Sequence, residues 1–343
     1  MSSQLSPDLR VAPLRVPTPL RRVIGTADDE GTRLEVFPLA LFGSTFGWSV
    51  QESAAHAILD RFVEAGGNLI QSADHHADGN SERMIGRWLA SRGARDHLVL
   101  SATVGRAEGI QQTPAGMRAA VDATLTRLGT DRLDLLVLHG GKGQGALDNL
   151  LSAAEEIIAA GKARLVAGGD VSGVQLLQAR IAAGMIGAPL LSAVQTTYNL
   201  VQRNEFEREF ARLVAVQSLA VMPKHALANG YLTGLYSDRD RALRSERGII
   251  AHRHHDRRGL RILKQVEQVA GEYGVQPASI AIAWLLTRSQ VVAPVVSAGS
   301  VNHVDSLIAG SRLQLAEEHV AQLDAVSGPD SGIVSFFQLG APR

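Results

Sequence analysis

From about residue 35 onward, short apolar runs alternate with stretches in which apolar residues recur every three or four positions. This rhythm limits the folds open to the chain. The runs are EVFPLALFG, NLIQ, HLVLSAT, LDLLVLH, ARLVAGG, LLSAVQ, LAVMP and VVAPVV. Between them lie amphipathic segments such as AAHAILDRFVEAG, ERMIGRWLASRG, PAGMRAAVDATLTRLG and NLLSAAEEIIAAG. Several end in glycine, which tolerates the left-handed conformation that closes a helix. Strands that alternate with helices pair in parallel through right-handed crossovers, leaving an open doubly wound sheet or a closed barrel. Eight such units in a chain of 343 residues predict the α/β class and a (β/α)8 TIM barrel. An open dinucleotide-binding sheet calls for GxGxxG after its first strand, and the chain offers LFGSTFG there instead.

Composition bounds the partners. Lys+Arg and Asp+Glu balance at 34 each, so no global field draws nucleic acid or an anionic membrane, and the expected partner is a small molecule. There is no cysteine, which removes disulfides, thiolate nucleophiles and thiolate metal sites and fits a cytoplasmic location. The segment MSSQLSPDLRVAPLRVPTPLRR lacks the apolar core of a signal peptide, and no apolar span of membrane length follows it. Residues 1–21 are expected to be a mobile leader and 22–343 a single barrel domain. Oligomeric state is left open.

In a parallel barrel, chemistry sits at the carboxyl ends of the strands. This rule selects Gln71, Asp74, His75 and His76 after the second run and Thr103 at the end of the third. It adds His139, Asp170, Gln195, Lys224 and His225 at the ends of the next four. In HRHHDRR, residues 252–258, the histidines suit a metal, the basic residues an anion, and the whole a solvated loop entering a helix. No metal-ligand spacing in the chain is clear enough to name a metal site.

Several segments, in order, resemble the aldo-keto reductase family. FGSTFGW followed by AILDRFVEAGGNLI is similar to its first βα unit, and SADHHADGNSERMIGRWL to its DTADxYxxGxSE signature. LTRLGTDRLDLLVLH, GKARLVAGG, VQTTYNLVQR, ALANGYLTG and YGVQPASIAIAWLL resemble later landmarks, so the similarity runs from about Leu39 to the last helix. The resemblance implies a barrel that reduces carbonyls with NADPH or NADH through an Asp, Tyr, Lys and His tetrad. On this chain those positions are Gln71, His76, Thr103 and His139, so only the histidine is retained. The pair that holds the nicotinamide carboxamide falls on Asp170 and Val171, with Gln195 kept beside it. The stacking aromatic falls near Lys224, and a phosphate turn persists as Gly299 and Ser300 of AGSVNH.

Gln71 cannot carry the charge of an aspartate, nor Thr103 that of a lysine. An imidazole titrates near neutrality without such help, with a reference pKa of roughly 6.5. His76 and His139 are therefore the candidate acid–base groups. The expected function is a divergent reductase of small carbonyls or alcohols, as the family resemblance implies; the alternatives are a non-redox enzyme of elimination, isomerisation or cyclisation, and a non-catalytic binding protein.

Overall fold

The structure, a computed structural model, describes residues 21–25, 33–111, 113–139, 146–187 and 190–328. The leader expected at 1–21 lies outside the described residues except for Arg21. Eight parallel strands run in the order β10-β3-β4-β5-β6-β7-β8-β9. They are β3 (Ala40–Phe42), β4 (Leu69–Ala73), β5 (Val99–Val104), β6 (Leu133–His139), β7 (Ala163–Gly169), β8 (Ala193–Thr197), β9 (Ala220–Lys224) and β10 (Val295–Val296). The last gap is bridged just before β10, where Val221 N–H donates to Gln290 and Val292 N–H to Val221. The result is the expected α/β barrel.

Helices return the chain between strands: α1 (Glu52–Glu64), α2 (Asn80–Arg92), α3 (Pro114–Leu128), α4 (Ala146–Ala159), α5 (Gly173–Ile186) and α6 (Ala211–Val216). After β9 come two short helices, α7 (Arg239–Ala242) and α8 (Glu246–His252), then α9 (Arg257–Tyr273) and α10 (Pro277–Leu286). After β10 come α11 (Val301–Arg312) and α12 (Glu317–Ser327). Helix α3 shows how sequence sets these boundaries. Thr113 accepts from Gly116 N–H at 3.1 Å, Pro114 fits a first turn that needs no donor, and Gly129 closes the helix at φ 65°.

Strand side chains alternate between two cores. Ile70, Leu100, Leu136, Val166, Val194 and Val221 point outward under the helices. Leu69, Val99, Leu135, Val137, Leu165, Ala193 and Met222 point into the barrel. Following the inward register two residues toward the carboxyl ends gives Gln71, Ser101 and Thr103, His139, Gln195 and Lys224. The barrel interior thus turns from apolar to polar along its axis.

Two features differ from the expected strands. EVFPLALFG is not one strand: β2 (Arg33–Val36) ends before Pro38, and β3 starts at Ala40 in a different sheet. Proline offers no N–H to a ladder, so the run breaks there. Strand β2 instead pairs antiparallel with β1 (Arg22–Gly25). This hairpin places Ile24, Leu34 and Val36 against Leu69, Val99 and Leu135, filling the amino-terminal end of the barrel. It is pinned by Arg22 Nη2 on the Leu286 carbonyl at 2.7 Å and by Asn68 Nδ2 on that of Glu35 at 2.9 Å. In VVAPVV only Val295 and Val296 pair as a named strand, next to Pro294.

Candidate active site

The mouth is floored by neutral amides. Gln71 is fully buried and donates from Nε2 to Thr103 Oγ1 at 3.0 Å and to Gln195 Oε1 at 3.2 Å. Gln195 returns a bond from its own Nε2 to Gln71 Oε1 at 3.0 Å. Two amides that each donate to the other satisfy their polar atoms without an ion. An aspartate and a lysine at positions 71 and 103 would instead need each other.

A second group gathers on Asp170. His139 Nε2 lies 2.6 Å from Asp170 Oδ2, Lys224 Nζ contacts Oδ1, and Arg106 Nη1 is 3.6 Å from Oδ2. Burial pushes His139 down to about 4, and Arg106 and Lys224 add to the effect. Asp170 would favour the imidazolium, but two cations share its charge. A ring nitrogen this close to a carboxylate meets it only as a donor, so Nε2 carries a hydrogen; in the neutral ring Nδ1 then holds the lone pair. Burial and Arg106 also push Lys224 down to about 8.

His76 stands on the loop after β4. Its ring lies edge-on to Phe42 at 5.0 Å and 4.2 Å from the ring of His75. Its Nε2 is buried and has no hydrogen-bond partner. Burial, His75 and Arg106 push it down to about 4, so it too is neutral at pH 7. Asp74 is committed to structure. Its Oδ2 accepts from Gly105 N–H at 2.6 Å and Arg106 N–H at 3.2 Å, and its Oδ1 is 3.3 Å from His75 Nδ1. Burial would raise its pKa, but these bonds outweigh that and hold it below the usual range. His225 is exposed, with Nδ1 3.2 Å from Thr197 Oγ1.

The backbone is strained around the same mouth. Among the described residues, non-glycine residues at positive φ are Ala77, Asp78, Asp170, Ser218, His225, Ala228 and Asn229. All but Ser218 lie on loops after β4, β7 or β9, and strain gathered at one end of a fold marks a site under functional constraint.

The remaining sequence candidates make local contacts of their own. Gly299 and Ser300 open α11, but Gly299 N–H is taken by His303 Nδ1 at 3.3 Å and Ser300 Oγ by His303 N–H at 3.3 Å. In residues 252–258, His252 and His255 stack at 4.6 Å, and Asp256 caps α9 by accepting from Gly259 N–H at 2.7 Å. Among the described residues no group of three or more His, Asp or Glu is placed to hold a metal. A groove of about 400 Å³ between α3 and the loop after β5 reaches Asp74 but none of these histidines.

Sequence reasoning missed Arg106 and Arg247. Arg106 lies two residues past the end of β5, so extending the strand-end rule by one loop turn finds it. Arg247 sits on α8 and acts electrostatically on His76 and His225. Nothing in the spacing of that long segment singles it out.

Polar residues converge at the carboxyl ends of the strands, the end at which TIM barrels carry their chemistry. The chain belongs to the aldo/keto reductase family, whose model matches residues 39–327. Norsolorinic acid reductase stcV of Emericella nidulans is 28% identical over 329 residues, 90% of this chain and 83% of that one. Norsolorinic acid reductase B of Aspergillus parasiticus is also 28% identical, over 90% of this chain and 85% of its own length. Protein tas of Escherichia coli is 26% identical over 85% of this chain and 94% of its own length. No helix among the described residues is long and apolar enough to cross a membrane.

The family generally uses NADPH or NADH. The residues that the resemblance assigns to the nicotinamide contacts do not fit that ring here. The Gln195 amide is spent on Gln71, Asp170 is held by Lys224 and His139, and Lys224 offers an ammonium in place of an aromatic face.

Proposed function

We propose that this chain is an acid–base enzyme that moves a proton at a carbonyl or hydroxyl-bearing carbon of a small molecule. His76 is the proton acceptor, and the His139–Asp170 pair is the second acid–base group. The observation behind this reading is the buried, unpartnered Nε2 of His76 at the position from which the family delivers a proton. A neutral imidazole is a base, so the first step is removal of a proton from the carbon beside the carbonyl. The negative charge then gathers on the carbonyl oxygen, where Lys224 and Arg106 supply opposite charge. His139 takes a proton on Nδ1 or passes one on, and Asp170 stabilises the imidazolium that forms. Returning the proton to a neighbouring carbon gives isomerisation, and expelling a neighbouring hydroxyl as water gives elimination. Neither needs an electron acceptor.

Reduction is the second reading, favoured by the relatives named as reductases. Calorimetric titration with NADPH and NADH separates the two. Binding in the low micromolar range supports reduction, and no binding at millimolar cofactor removes it. The acid–base reading is tested by incubating the protein with a panel of small ketones and oxo acids in D2O and following deuterium entry by NMR. Exchange above the buffer rate that is lost in His76→Phe is expected. Exchange at the buffer rate for every compound sinks the reading.

A further inference from the structure

Of the 34 basic residues in the chain, four are lysines. One of them, Lys224, ends β9 on the inward register and so stands inside the mouth of the barrel. Lys162 pairs with Asp122 at the amino-terminal end of β7, Lys264 is exposed on α9, and Lys142 lies outside the described residues. Lys224 Nζ touches Asp170 Oδ1, while the other oxygen of that carboxylate is 2.6 Å from His139 Nε2. Asp170 itself is held at φ 52°, a left-handed conformation that aims its side chain at both partners. The Lys224 side chain is 22% exposed, so it is walled in yet open to a molecule that enters the mouth. An arginine would pair with Asp170 as well, but only a lysine can give up its proton and become a nucleophile. Burial and the Arg106 guanidinium favour that loss, lowering Lys224 to about 8.

We propose that Lys224 acts covalently, its amine condensing with the substrate carbonyl to form an imine, with Asp170 as the proton carrier. This deepens the acid–base reading and rests on it only for the presence of a carbonyl at the mouth. The ammonium gives one proton to the Asp170 oxygen that it touches, and the free Nζ adds to the carbonyl carbon. A second proton passes from nitrogen to the carbonyl oxygen. That oxygen takes the first proton back from Asp170 and leaves as water, while the nitrogen lone pair closes the C=N bond. The product is a cationic iminium, so the charge beside Asp170 is the same before and after, and no oxidant or reductant takes part. Lys224 thereby replaces the oxygen that it would otherwise face as an ammonium. When His76 removes the proton from the neighbouring carbon, the electron pair flows into C=N and neutralises it. An enolate would keep a full negative charge on oxygen, whereas the enamine formed here carries none. Protonation of the enamine and addition of water to C=N release the product and restore the lysine.

The test is to incubate the full chain with the same panel of small ketones and oxo acids, add sodium borohydride, and read the protein by mass spectrometry. A trapped iminium leaves the chain heavier by the ketone less its oxygen, and peptide mapping is expected to put that mass on Lys224. Lys224→Arg keeps the charge beside Asp170 but should lose the adduct and bring deuterium exchange down to the buffer rate. Lys224→Met should do the same, with unchanged circular dichroism showing that both variants fold. Should either fail to fold, the mapped position in the unaltered chain decides alone. No adduct with any compound, or adducts spread over the other amines as heavily as on Lys224, overturns the proposal. Exchange above the buffer rate without an adduct also overturns it and leaves the acid–base reading standing. An adduct on Lys224 whose exchange persists in His76→Phe supports the lysine and removes His76 as the base.

Discussion

Burial is the largest cause that lowers both His76 and His139 to about 4. His76 is packed between Phe42 and His75, while His139 is buried beside cations that share its carboxylate. NMR titration of the ring protons should therefore find both uncharged down to about pH 5. A ring titrating near 6.5 would contradict the packing. Once a substrate is in hand, His76→Phe should lower turnover by ~10²–10⁴-fold, the usual contribution of a general acid or base. Asp170→Asn should push His139 lower still, because Lys224 and Arg106 would then face the ring without a counter-charge, and the same titration reads it. The strand-end rule placed Gln71, Thr103, His139, Gln195 and Lys224 at the mouth, since strand order and inward register follow from alternation. It could not show that Gln71 and Gln195 bond to each other. That pairing depends on side-chain rotamers across the barrel, which no local pattern encodes.

At the scale of elements, the loop from β4 to α2 is held in place by its GNSE residues, 79–82. Glu82 is fully buried and meets Arg127 Nε at 2.5 Å; Ser81 Oγ donates to the Gly43 carbonyl at 2.7 Å. A Cβ on Gly79 would come within 2.5 Å of Arg127 Cδ. These residues tie the loop to α3 and to the turn after β3, whatever chemistry His76 performs. Glu82→Ala should cost about 3–5 kcal/mol, the usual penalty for breaking a buried ion pair, measured by urea unfolding. Ala77 holds φ 49° in the same loop, so Ala77→Gly should stabilise by ~1 kcal/mol by removing a left-handed alanine. An unchanged midpoint would show that the strain is relieved elsewhere. The hairpin of β1 and β2 escaped the sequence reading because RVIG and RLEV are four residues each. Only packing on the barrel separates such short runs from loop.

For the whole molecule, the same two histidines link stability to acidity. Each is lowered from 6.5 to about 4 in the fold, so between these values the unfolded chain binds more protons. Stability is then complete above about pH 6.5 and declines as pH falls toward 4. Urea midpoints at pH 7 and pH 5 should differ, and less so in His76→Gln. The hairpin adds a consequence of another kind. With Ile24, Leu34 and Val36 packed at the amino-terminal end, the inward-facing polar residues of the described barrel gather at the opposite end alone. A ligand that binds among the polar residues at the carboxyl ends leaves past the same side chains that met it.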